Sequence, residues 1–91
     1  MQYKELATNS TTTIKTGPGF LQGIVVNNAG TSWTLQIFDS VSGSGTAIGG
    51  GTAAFTVPVA GTNLNYDCGF SNGLTIVTAG TTPGSVTVAW Y

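Results

Sequence analysis

The sequence predicts an all-β fold: a single small β-sandwich, jelly-roll or immunoglobulin-like, of seven to eight short antiparallel strands. Three observations carry this. Glycine, proline and asparagine clusters punctuate the whole length. The runs between them are rich in β-branched and aromatic residues. No interval between breakers is long enough for a helix of ordinary length. With 91 residues, 41% of them hydrophobic, the chain makes one domain around one core.

The turns fall at Gly17-Pro18-Gly19, Asn27-Asn28-Ala29-Gly30, Ser42-Gly43-Ser44-Gly45, Gly49-Gly50-Gly51, Ala60-Gly61-Thr62-Asn63, Ser71-Asn72-Gly73 and Thr82-Pro83-Gly84. They leave strands at residues 10–16, 19–27, 32–39, 53–59, 64–70, 74–79 and 85–91, with a weak one at 46–48. Residues 1–13 form an N-terminal arm or edge strand, because they hold two of the five charges, lack glycine and run into a polar Ser/Thr string. Residues 14–91 are the sandwich domain.

Period-two alternation assigns faces. Trp33, Leu35 and Ile37 share one face, as do Val86, Val88 and Trp90. Leu64, Tyr66, Cys68 and Phe70 form a third row, and Phe55, Val57 and Val59 a fourth. Pro58 removes a ladder donor and marks residues 53–59 as an edge strand. In 19–27, Leu21, Gly23 and Val25 fall on one face and Phe20, Ile24 and Val26 on the other. That predicts a strand apolar on both sides.

Composition excludes most chemistry. The charged residues are Lys4, Glu5, Lys15, Asp39 and Asp67, with no histidine and no arginine. General acid–base catalysis needs a group whose pKa can be tuned near the working pH, so no enzyme and no catalytic residue is expected. A glycosidase needs two paired carboxylates, and Glu5, Asp39 and Asp67 sit in three separate segments. The glycine-rich stretch 43–51 breaks the phosphate-loop spacing at Ile48, and no lysine follows residue 15. No metal site and no cofactor is expected, since calcium wants clustered oxygens and zinc wants His or Cys. Two lysines cannot neutralise a phosphate backbone, which excludes nucleic acid. Cys68 has no partner for an internal disulfide and reads as a small apolar residue.

Residues 1–6 lack the apolar run of a signal peptide. Stretches such as Ile24-Val25-Val26 fall far short of a membrane span of about 20 residues. A soluble protein made in the cytoplasm is expected, with no membrane partner. The formal charge of −1 is below the magnitude of about 2–8 that keeps a small domain monodisperse, so association is expected. Four residues are candidates for contact surfaces. Phe38 and Tyr91 fall opposite their strands' apolar rows. Tyr3 and Leu6 are expected to anchor the arm on a neighbouring subunit or surface, along an open sheet edge.

The segment Ile14-Lys15-Thr16-Gly17-Pro18-Gly19-Phe20-Leu21-Gln22-Gly23-Ile24-Val25-Val26-Asn27 resembles the opening of small virion proteins of tailed bacteriophages. In those, a Thr-Gly-Pro-Gly turn leads into an apolar strand ending in Val-Asn. The similarity continues through Leu35-Gln36-Ile37-Phe38-Asp39-Ser40 and Gly45-Thr46-Ala47-Ile48. It resumes in residues 66–78 and in Val86-Thr87-Val88-Ala89-Trp90-Tyr91, so it covers roughly residues 14–91. Cys68-Gly69 departs from the Val-Ala-like pair expected there.

The resemblance implies a β-sandwich virion protein located on the capsid surface. It points to a decoration (cement) protein that binds the major capsid protein, or another virion protein, and stabilises the assembled head. A homo-oligomer is expected, a trimer by the local three-fold symmetry of a shell. A tail, baseplate or fibre component and a host-glycan-binding module are the alternatives. The resemblance supplies no catalytic residue.

Overall fold

Nine strands, all paired antiparallel, make two sheets in the computed structural model, which describes residues 1–48 and 54–91. The first sheet runs β1 (Gln2–Leu6), β9 (Ser85–Trp90), β3 (Gly19–Asn28), β7 (Asn63–Phe70). The second runs β2 (Ser10–Thr16), β8 (Gly73–Thr82), β4 (Thr31–Asp39), and the free side of β4 is taken by two short pieces, β5 (Thr46–Ala47) and β6 (Phe55–Thr56). From β1 to β4, and again from β7 to β9, each strand lies in the sheet opposite its predecessor. The pairs β1·β9, β2·β8 and β3·β7 are those of one long hairpin, and β3·β9 and β4·β8 close when that hairpin is rolled up. This is jelly-roll topology, and it decides between the two sandwich forms the sequence allowed.

The core lies between the sheets. Trp33, Leu35 and Ile37 of β4 and Leu74 and Ile76 of β8 face Leu21, Ile24 and Val26 of β3 and Val86 and Val88 of β9, all at most 1% exposed. Hydrophobic burial of this row against row is the main favourable term. The Trp33 indole N–H, buried with its ring, donates to Asn9 Oδ1 at 2.9 Å, and Asn9 Nδ2 donates to the Gly80 carbonyl at 2.8 Å. Asn9 thus fixes the crossing from β1 to β2 while satisfying a polar group that burial would otherwise leave unpaired.

Several sequence expectations need correction. Strand β3 is not apolar on both faces. A bulge between Leu21 and Gly23 inserts Gln22, shifts the alternation by one, and turns Leu21, Ile24 and Val26 all inward while Val25 faces solvent. Phe38 is not on the surface: it is 5% exposed, outside the core cluster, on the far side of the second sheet. Leu6 is 5% exposed and packs in the chain's own core beside Val86, its partner in β9. The boundary drawn at 13/14 falls inside β2, so the first thirteen residues contribute an outer strand to each sheet. The strand expected at 53–59 is confined to Phe55–Thr56 among the described residues, and Val59 is exposed, not in a row with Val57. Residues 49–51 of the glycine stretch and residue 53 lie outside the described residues.

Candidate binding face

Each of the few charges has a structural position. The Asp39 carboxylate, at the end of β4, accepts backbone N–H groups of the β7–β8 turn: Ser71 at 3.0 Å, Asn72 at 2.7 Å and Gly73 at 3.4 Å. The Ser71 and Asn72 N–H groups hold its pKa below the ordinary carboxylate value, outweighing a small opposing effect of burial. A carboxylate held in this way closes a turn. Glu5, on β1, accepts a hydrogen bond from the Ser85 hydroxyl. Lys4, Lys15 and Asp67 stand on β1, β2 and β7, the strands at open sheet edges. Two of those edges are also distorted. Pairing of β2 shifts between Thr13 and Lys15, and Asp67 has a left-handed φ of 48°. Charges and bulges at these places discourage strand addition by another chain. Among the described residues no group of three or more His, Cys, Asp or Glu side chains is placed to hold a metal ion.

The outer faces of the two sheets differ. The second sheet is overlain by the segment after β4. Thr75 Oγ1 donates to the Ser40 carbonyl at 2.7 Å, and Thr13 Oγ1 to that of Val41 at 3.3 Å. Gly43 lies so close that a Cβ there would meet the Thr11 and Val77 methyl groups at 3.3 Å.

The outer face of the first sheet carries no such cover among the described residues. Register places its side chains in rows that cross the four strands. One row is Tyr3, Ala89, Gly23 and Asn65; the next is Glu5, Thr87, Val25 and Asn63. At the polar end Asn27 Nδ2 donates to the hydroxyls of Ser85 at 3.2 Å and Thr87 at 2.9 Å. At the other end Tyr91 and Phe20 exchange backbone hydrogen bonds, and their rings meet edge to face with centroids 6.1 Å apart. Of the exposed large hydrophobic residues, Met1, Tyr3, Val25 and Tyr91 belong to this face, with Tyr3 77% and Tyr91 55% exposed. Between the raised side chains runs a trough of about 270 Å³, with Gly23 and Ala89 its smallest lining residues and Gln22, Val25, Asn63 and Asn65 around them. Gly23 is held small by its surroundings, since a Cβ there would lie 2.6 Å from the Leu64 carbonyl oxygen.

Of the four contact residues expected from sequence, Tyr3 and Tyr91 lie on this face, whereas Leu6 and Phe38 are buried. Sequence reasoning missed Val25, Gly23 and Ala89. The available signal was Gly23 itself, since a glycine inside an apolar strand marks a bulge or a close backbone approach.

No protein-family model, no curated protein and no solved structure matches the chain. Among the described residues no helix is long and apolar enough to cross a membrane.

Proposed function

We propose that this chain is a non-enzymatic structural protein that works by surface contact: a decoration protein of a tailed-phage virion. In this role it binds the major capsid protein of the assembled head as a homo-oligomer. The observation that carries the contact half is the one-sided sandwich. One outer face is overlain by its own chain, and the other presents exposed Tyr3, Val25 and Tyr91 and a trough lined by no charged side chain. Interfaces favour this composition, with aromatic residues and methionine enriched and Lys, Glu and Asp depleted. The charges support the same reading, because Asp39 closes a turn and Lys4, Lys15 and Asp67 occupy strand edges.

The virion half rests on the segment resemblance, and a jelly roll by itself does not choose between viral shells and other binding proteins. Cementing is mass action: a protein that binds only the assembled lattice stabilises it by an amount that grows with the logarithm of its free concentration relative to Kd. Purified particles labelled for this chain in electron microscopy should show a regular array over the head. Particles stripped of it should open at lower temperature. Label confined to the tail would replace decoration with a tail role, and unchanged thermal opening would remove the cementing function.

A further inference from the structure

We propose that the outer face of the first sheet pairs with the same face of a second copy, and that Tyr3 of each copy packs on the Asn65 end of the other's trough. This rests on the reading of that face as the contact surface and goes beyond it in naming the occupant and the geometry.

The register supplies the complementarity. Tyr3, Ala89, Gly23 and Asn65 follow one another across β1, β9, β3 and β7, so one row holds a projecting ring at one end and a hollow towards the other. A two-fold axis lying in the interface, parallel to the strands and between β9 and β3, carries each row onto itself in reverse. It sets β1 of one copy over β7 of the other. Tyr3, 77% exposed in the isolated chain, then stands over the Gly23–Asn65 end of its partner's row. Such an isologous contact is closed, whereas a heterologous one continues until a ring closes or a filament grows.

Charge and edges point to the same occupant. The face carries two carboxylates: Glu5, which already accepts the Ser85 hydroxyl, and Asp67 at its β7 edge. The axis sets each over an uncharged part of the partner's opposite edge strand, so two copies meet with little like-charge repulsion. Strand addition, the other route to association, meets Lys4, Lys15 and Asp67 at the open edges. The side-chain amides of Gln22, Asn63 and Asn65 make no hydrogen bond among the described residues, which leaves them available to a partner.

Size is just sufficient. Four strands about 4.8 Å apart and about eight residues long give a face on the order of 500 Å². Two copies together then approach the roughly 1,000 Å² that separates specific interfaces from incidental contacts. The whole face must therefore engage, and the ring at the Asn65 end of the trough is its anchor. This geometry favours a two-fold pair over the trimer expected from shell symmetry.

Sedimentation of the full chain over micromolar concentrations tests the proposal. A dimer is expected, with Tyr3→Ala and Ala89→Arg each weakening it by roughly 30-fold, the loss of one anchor residue. Val59→Arg, at an exposed site off this face, should leave it unchanged. A second measurement fixes the geometry: with Cys68→Ser as background, Tyr3→Cys mixed with Asn65→Cys should oxidise to a cross-linked pair. Monomer throughout the range, a trimer, or a dimer indifferent to Ala89→Arg would each overturn the proposal, as would absence of the cross-link. Particle binding is read separately. A monomer that still decorates heads defeats the pairing and spares the virion reading, while a dimer that does not bind heads does the reverse.

Discussion

Replacing Leu6 by alanine separates an arm that docks elsewhere from a strand that belongs to the domain. Leu6 is 5% exposed and clusters with the core, opposite Val86 of β9. Deleting the buried part of a leucine costs about 2–5 kcal/mol, and an outer strand that can relax into the vacancy belongs near about 2–3 kcal/mol. A domain of this length holds about 5–14 kcal/mol in total, so the loss is a large fraction. At about 4–8 °C per kcal/mol the melting temperature should fall by roughly 10–20 °C. Urea unfolding and calorimetry of the dilute protein measure both. Tyr3→Ala, on the solvent side of the same strand, should change monomer stability by less than about 0.5 kcal/mol. Deleting residues 1–8 should cost at least as much as Leu6→Ala, because it also strips β9 of a neighbour. A Leu6→Ala protein as stable as its parent but impaired in association would refute this, and would return Leu6 to the intermolecular role expected from the sequence.

Two further outcomes follow from the hydrogen bonds. The folded-state pKa of Asp39 is depressed, so its contribution is fully present above the unfolded value of about 4 and is lost as pH falls through the folded one. Urea midpoints of the parent should therefore drop on acidification below about pH 4 more than those of Asp39→Asn, and parallel curves would contradict the turn-closing role. Asn9→Leu should leave the buried Trp33 indole N–H unpaired, at a cost of about 1–3 kcal/mol. In a Trp33→Phe background the same substitution should cost clearly less, and a double-mutant cycle without coupling would show that the bond contributes nothing.

Alternation was enough to read most of the sandwich. The rows Trp33-Leu35-Ile37, Val86-Val88-Trp90 and Leu64-Tyr66-Cys68-Phe70 point inward as the two-residue period requires. It failed where an insertion or a distant segment intervenes. The bulge at Gln22 reverses every face assignment after it, and a one-residue slip in a strand of period two leaves no trace in composition. Phe38 does fall on the side opposite Ile37, but its burial there, like the cover over Thr75 and Val77, is not a property of β4's own sequence. Leu6 sat alone among polar residues, with no neighbour in sequence to form a pattern; its partner Val86 is eighty residues away in the rolled hairpin. The candidate face was half legible for the same reason: Tyr3 and Tyr91 are conspicuous as side chains, while the trough is lined by residues of β3, β7 and β9 jointly.

The scarcity of charge has a different meaning once positions are known. In composition, five charged residues read as too few to keep strand edges from pairing. Edge protection depends on placement, since one charge or one bulge can spoil the flat, continuous ladder that another strand needs. The outer strand β1 carries Lys4 and Glu5, β2 carries Lys15 beside a register shift, and β7 carries Asp67 in a left-handed conformation. The fourth edge, that of β4, is capped by β5 and β6. The remaining carboxylate, Asp39, closes the turn between β7 and β8. Open-ended association through edges is thereby disfavoured at three edges by four charged residues and at the fourth by β5 and β6. The low charge is then felt mainly on the first sheet's outer face, where it permits contact with a neutral surface and where a contact, once made, is less sensitive to salt.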